Sequence, residues 1–150
     1  MNKPRTRQSL VFSDTGVLIL LGLARLLTLF LTNAESGWHR DELDTLDNAR
    51  YLNWGYVAYP PVTPFLARLA LSLFGPSLIG VRLFSTLAHA IALVLGGLMV
   101  RELGGRRSAQ VTAAVAVAIA PYALMSGELF LYSSFDYLWW VSIAYMQGFG

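Results

Sequence analysis

The chain has no cysteine, which excludes a disulfide framework, a thiolate metal site and a cysteine nucleophile. Charged residues are also scarce, at 13% of the 150 residues against 55% that are hydrophobic. Together with a mean hydropathy of +0.52, this composition excludes an ordinary soluble domain and predicts an integral membrane protein. The basic side chains form no patch of the kind that binds nucleic acid, so no nucleic-acid partner is expected.

Lysine and arginine are absent after Arg107, and this uneven distribution predicts the orientation of the chain. Two segments are distinctly basic: the N-terminal tail with Lys3, Arg5 and Arg7, and RELGGRRS at residues 101–108 with Arg101, Arg106 and Arg107. The positive-inside rule places both segments in the cytoplasm, so the loop over residues 33–80 is expected outside. The predicted location is the cell's inner (plasma) membrane, crossed several times, with the N-terminus in the cytoplasm.

Four apolar stretches predict transmembrane helices, because a span needs about 20 mainly apolar residues. The fourth stretch meets the end of the chain before reaching that length, so we expect three complete spans and a truncated fourth. The predicted fold class is all-α, a polytopic transmembrane helical bundle forming one domain over residues 1–150. A cleaved signal peptide is an alternative for the first stretch, which small residues follow. The predicted spans are residues 16–32, 81–100, 109–125 and 135–150.

The first half of the outer loop holds acidic side chains at helical spacing. Leu43 and Leu46 fall on one side of such a helix, while Asp44 and Asp47 fall on another. This pattern predicts a short amphipathic helix that ends near Trp54.

The second half of the loop contains a proline pair and an apolar run. Pro60 and Pro61 are expected to hold the chain extended, since neither can continue a helix. Residues 64–75 predict a helix too short to span, lying on the outer membrane surface with Arg68 reaching for lipid phosphates. The side chains expected in the membrane are Phe65, Leu69 and Phe74.

Asp41 has two competing interpretations. It could cap the loop helix, with Asp44 three residues later completing a variant of the capping box. It could instead act as a general base beside the bilayer, where a low dielectric and nearby carboxylates favour its protonated form. Both roles use the same carboxylate oxygens, so a catalytic Asp41 requires a cap from another residue.

His39 and Glu42 stand three residues apart, a helical spacing at which the pair could bind a divalent cation. Two ligands define a metal site only weakly. The alternative for His39 is an amphipathic anchor at the membrane interface, next to Trp38.

Two ionisable residues fall inside predicted spans. Arg25 should face the bundle, because an unpaired cation facing lipid costs about 2.5 kcal/mol or more. Its partner would be Asp136 or a lipid phosphate, and snorkelling of the long side chain is the alternative. For His89, a hydrogen bond to a neighbouring helix is favoured over a ligand role.

One series of segments resembles a known family. It runs RDEL (40–43), NARYLNWGYVAYPPVTPFLARL (48–69), VRLFSTL (81–87), RELGGRR (101–107) and GELF with FDYLWW (127–140). The series resembles the N-terminal part of bacterial polytopic glycosyltransferases of the dolichyl-phosphate-mannose protein mannosyltransferase type, which include the lipid A aminoarabinose transferase. The likeness covers about residues 15–150, roughly a third of a typical member's length.

The resemblance implies roles for individual residues. Asp41 matches the family's catalytic base, and Glu42 is its neighbouring acid. Where many members have a phosphate-binding lysine before the two prolines, this chain has Tyr59, so Arg82 and Arg68 are the expected phosphate contacts. Asp136 matches an acidic position at the outer start of the fourth span, for which a helix N-cap is the alternative.

The implied function is transfer of a sugar from a polyprenyl-phosphate donor to a lipid, glycan or protein acceptor on the non-cytoplasmic face. A divalent cation held by Glu42 and His39 is a conceivable cofactor, and membrane lipids are expected partners. Two alternatives remain open: a truncated, inactive remnant or assembly partner, and a transporter or flippase fragment. In the transporter reading, Arg25, His89 and Asp136 would form a polar pathway.

Overall fold

The computed structural model describes residues 13–32, 37–57 and 60–149. All regular structure in these ranges is helical, which confirms the all-α prediction. The helices are α1 (Asp14–Thr32), α2 (Arg40–Arg50), α3 (Val62–Phe74), α4 (Leu78–Glu102), α5 (Arg107–Ile119), α6 (Pro121–Ser126) and α7 (Tyr132–Phe149).

Helix α4 is the centre of the fold and packs against α1, α3, α5 and α7. It begins at a clear signal, since the Ser77 side chain accepts a hydrogen bond from the Gly80 N–H at 3.2 Å. Its 25 residues give a length of about 37 Å. Within the described ranges, α4 is the one helix both long and apolar enough to cross a membrane.

Many interior side chains are small or polar, and many of the large apolar side chains are exposed. In α4, Thr86 and Ala92 are buried, but Leu87 and Ile91 are exposed. Exposed leucines also occur in α1, and exposed tryptophans in α7. Helix α1 approaches α4 closely at Gly97. Small interfacial residues and apolar outer faces are typical of helices packed in lipid.

The predicted third span over residues 109–125 is not one continuous helix. Helix α5 ends at Ile119, and α6 starts at Pro121 after Ala120 adopts an extended conformation with ψ 133°. The break has a simple cause: the proline ring disfavours the helical conformation for the preceding residue. The prediction of a single span here was wrong in this respect.

Helix α2 differs from its prediction in both face and end. The buried positions are Glu42, Thr45, Leu46 and Ala49, whereas Leu43 is half exposed. The helix ends at Arg50 instead of near Trp54. A charged residue occupies the inward face because it has a buried partner, which hydrophobic periodicity cannot indicate.

Helix α3 begins directly at the prolines. Pro61 is its N-cap residue, with φ −68° and ψ −16°, so the second proline starts the helix instead of extending the chain. Proline is tolerated there because the first N–H groups of a helix have no partner within the helix. Small residues such as Ala67 and Ala70 are buried against the fold, and the three side chains expected in the membrane remain exposed: Phe65, Leu69 and Phe74.

Candidate active site

The first turn of α2 is capped by His39, not by Asp41. The His39 Nδ1 atom accepts a hydrogen bond from the Asp41 backbone N–H at 3.3 Å. In return, the Glu42 carboxylate accepts the His39 backbone N–H at 2.9 Å, which completes a capping box. The prediction that Asp41 and Asp44 form this cap was wrong, because the helix begins two residues earlier than that arrangement requires.

The Asp41 carboxylate is therefore not used by the cap. Its side chain is 66% exposed and one oxygen lies 3.8 Å from Nδ1 of His39. Asp41 also sits in the first turn of α2, where the positive end of the helix dipole stabilises a carboxylate. The carboxylate can consequently meet a substrate proton without breaking the helix start.

Glu42 has the opposite environment, being fully buried and surrounded by donors. Arg82 of α4 donates to it twice, from Nε at 2.8 Å and from Nη2 at 2.6 Å. The backbone N–H of Phe130 donates a further hydrogen bond at 2.8 Å. With the cap, four donors hold one carboxylate, so Glu42 joins α2 to α4 and to the turn before α7.

Arg82 is only 2% exposed, and it also donates to the Gly37 carbonyl at 3.0 Å. It forms part of the wall of an open cleft of about 410 Å³, here named the Arg82 cleft. The α2 side of the cleft carries Trp38 and the capping residue His39. The full lining is Gly37, Trp38, His39, Arg82, Leu124, Met125, Glu128 and Leu129.

Glu128, which also lines the cleft, is the ion-pair partner of Arg25. Arg25 is 6% exposed, as expected for a cation that faces the bundle, and its Nη1 lies 3.5 Å from Glu128 Oε1. Arg25 also donates to Thr28 Oγ1 at 2.7 Å and to the Ala123 carbonyl at 3.2 Å. The predicted pairing of Arg25 with Asp136 is not formed.

His89 lies behind this group and makes the expected hydrogen bond to another helix. Its Nε2 is 3.2 Å from Ser126 Oγ, and its ring stacks on Tyr137 at 5.2 Å. Because the Ser126 hydroxyl donates to the Tyr122 carbonyl at 2.6 Å, Nε2 is the donor to Ser126. The buried Nδ1 atom then has no hydrogen-bond partner among the described residues.

The remaining predicted site residues do not line the Arg82 cleft. Arg68 is exposed on α3, consistent with contact to lipid headgroups. Asp136 is exposed on α7 and lies four residues after the helix start at Tyr132, so it is not the N-cap. Tyr59 falls outside the described residues.

The contacts of Glu42 and His39 do not favour the predicted cation site. Both Glu42 oxygens accept hydrogen bonds, and the nearest charged partner is a buried guanidinium. His39 turns Nδ1 toward the α2 backbone. Within the part of the chain that the structure describes, no three His, Cys, Asp or Glu side chains cluster as a metal site. A cation on His39 and Glu42 therefore stays a prediction without geometric support.

Comparison with known families identifies the chain. Residues 58–148, well over half of its length, match the model of the dolichyl-phosphate-mannose-protein mannosyltransferase family. The chain belongs to this family. No curated protein and no solved structure matches it.

Membership of the mannosyltransferase family carries a coarse functional meaning: its members are membrane glycosyltransferases. The matched residues include Arg82, Glu128 and Asp136, whereas Asp41 and Glu42 lie before the match begins. The assignment of Asp41 and Glu42 as site residues therefore rests on their position in the fold and on their likeness to the family's Asp-Glu motif.

Sequence reasoning missed Glu128. It stands in a short polar break, SGEL at residues 126–129, between two apolar stretches. An intramembrane arginine requires a counter-charge, and Glu128 is an acid close to the predicted outer ends of the spans. The need for a counter-charge was the signal that could have identified Glu128. On sequence alone, however, Asp136 was an equally suitable counter-charge.

Proposed function

We propose that this protein transfers a sugar from a polyprenyl-phosphate donor to a lipid, glycan or protein acceptor at the non-cytoplasmic face of the inner membrane. The chain would cross the membrane several times, with its N-terminus in the cytoplasm. One observation carries the proposal: Asp41 has an exposed carboxylate, not used by a cap, 3.8 Å from His39, which lines a cleft together with the buried guanidinium of Arg82.

The reaction needs one base and one source of positive charge. An acceptor hydroxyl attacks the anomeric carbon, and the bond from that carbon to the phosphate oxygen breaks, leaving its electron pair on the phosphate. Asp41 accepts the proton of the attacking hydroxyl. Arg82 supports the negative charge that develops on the phosphate.

Glu42 has a positioning role in this scheme. Its two hydrogen bonds to Arg82 fix the guanidinium in the cleft wall, and its bond to the His39 backbone fixes the turn that carries Asp41. Tyr59 and Arg68 remain candidates for contacts to the lipid part of the donor. No step is assigned to a cation.

A lipid-linked donor agrees with the distribution of apolar side chains. Trp54 is 94% exposed and Phe65 59% exposed, and both line a second, largely apolar pocket between α3 and the loop before it. Side chains of this kind are stable at a membrane surface, from which a polyprenyl chain would approach.

The test compares Asp41→Asn with Asp47→Asn, a matched change six residues further along α2. Membranes containing each variant are supplied with polyprenyl-phosphate mannose and a membrane extract as acceptor source, and release of polyprenyl phosphate is measured. Loss of the base should lower turnover by about 100-fold or more, with little change for Asp47→Asn. Retained turnover in Asp41→Asn would remove Asp41 as the base.

The transporter reading receives no support from the arrangement of polar groups. Arg25 pairs with Glu128, His89 bonds to Ser126, and Asp136 is exposed on a different helix. These three residues do not form a continuous path. If the wild-type protein releases no polyprenyl phosphate in the assay above, the hypothesis of an inactive remnant or assembly partner replaces the hypothesis of an enzyme.

A further inference from the structure

We infer that Glu128 and Trp38 form the sugar-binding subsite of the Arg82 cleft, with Glu128 accepting hydrogen bonds from sugar hydroxyls. This inference rests on the proposed function for its biological meaning, but it concerns binding and can be tested without turnover. Both residues line the cleft, and the cleft volume of about 410 Å³ suits a small ligand.

The first argument is the unused acceptor capacity of Glu128. A carboxylate offers about four acceptor positions. Those of Glu42 are already used by four donors, two from Arg82 and one each from the backbone N–H groups of His39 and Phe130. Glu128 is 34% exposed, and its one hydrogen bond within the described ranges is the long contact of 3.5 Å from Arg25. Glu128 is therefore the cleft carboxylate that can still bind hydroxyl groups.

The second argument is the way in which Arg25 holds this carboxylate. The guanidinium is satisfied by shorter bonds to Thr28 Oγ1 and to the Ala123 carbonyl. It can therefore balance the charge of Glu128 through a single long contact, 3.5 Å from Nη1 to Oε1, which leaves most of the acceptor capacity of the carboxylate available. A charge balanced in this way suits a neutral polyhydroxyl ligand better than a cationic one.

The third argument concerns Trp38, which also lines the cleft. Trp38 is partly buried and borders the cleft, so part of its indole remains available for contact. Sugars have apolar C–H faces that pack on aromatic rings and hydroxyl edges that need acceptors. An amphipathic aromatic and a carboxylate that line the same cleft match both properties. A sugar ring in contact with both would share the cleft with Arg82, where the donor phosphate is proposed to bind.

The experiment uses Trp38 as its own reporter. A background variant with Trp54, Trp139 and Trp140 each changed to Phe leaves Trp38 as the one tryptophan among the four in the chain. Its fluorescence is titrated with methyl α-mannoside in detergent solution. We expect a saturable change in emission, and Glu128→Gln should weaken the affinity by about tenfold, the loss of one charge-assisted hydrogen bond.

The control is Glu102→Gln, since Glu102 lies at the other end of α4 and should leave the affinity unchanged. A thermal melt of each variant shows whether it is folded, and Glu128→Asp, which keeps the charge, should recover part of the affinity. Absence of a saturable signal, or equal affinity in Glu128→Gln and its parent, overturns the inference.

Two outcomes separate this inference from the proposed function. If sugar binding depends on Glu128 but the protein shows no turnover, the inferred subsite is supported and the proposed transferase function is rejected. Turnover that depends on Asp41, with KM and kcat unchanged in Glu128→Gln, would keep the transferase and reject the subsite.

Discussion

The guanidinium of Arg82 holds the carboxylate of Glu42 by two hydrogen bonds, 2.8 Å from Nε and 2.6 Å from Nη2, where neither side chain is more than 2% exposed. Both charged groups are shielded from water, so each needs the opposite charge of the other to offset the free-energy cost of its burial. The pair joins α2 to the central helix and places the turn with Asp41 at the edge of the Arg82 cleft.

Glu42→Gln should destabilise the fold by about 3–5 kcal/mol, because it leaves a buried arginine without its counter-charge. The double variant Glu42→Leu with Arg82→Met removes both charges and should be much less destabilised than the sum of the single changes. Thermal unfolding in detergent, followed by circular dichroism, measures this. Additive losses would show that the pair is not coupled.

The capping role of His39 predicts a graded response to substitution. His39→Ala should cost about 1 kcal/mol, because the first turn of α2 loses its side-chain acceptor. His39→Asn should cost much less, since asparagine is a preferred cap. Thermal unfolding of the two variants checks the order, and turnover should follow it. Equal stability of His39→Ala and wild type would mean that the cap is not energetically significant.

Gly127 lies against the Arg25 and His89 side chains. A Cβ atom at this position would approach Arg25 Nη2 and the Ala123 carbonyl to 2.6 Å each. Gly127→Ala should therefore destabilise the protein by about 1–3 kcal/mol through overpacking. Gly148→Ala is the matched control: nothing lies within 4 Å of its added methyl group, so it should be neutral or slightly stabilising. Similar melting temperatures for the two variants would contradict the packing around Arg25.

The absence of cysteine makes the proposed orientation directly measurable. Asn53→Cys, in the exposed loop after α2, should react with a membrane-impermeant maleimide in intact spheroplasts. Glu102→Cys, at the end of α4, should react only after the membrane is permeabilised. The reverse pattern would place the Arg82 cleft in the cytoplasm and end the proposed function.

The sequence by itself determined that the chain is helical and where its two longest apolar helices lie. The runs near residues 16–32 and 81–100 became α1 and α4 with shifts of at most three residues at either end, because long apolar periodicity leaves few alternatives. It also determined that Arg25 faces the bundle and that His89 bonds to a neighbouring helix, since an unpaired polar group facing lipid is costly.

Only the tertiary structure decided which polar groups meet. Glu42 and Arg82 are 40 positions apart, and Arg25 and Glu128 are 103 apart, so no local pattern connects them. The same applies to the cap: Glu42 accepts the His39 backbone N–H and also binds the buried Arg82, an arrangement that local sequence does not indicate. Periodicity reports which face of a helix is apolar, whereas the choice among several acids depends on how the helices pack in three dimensions.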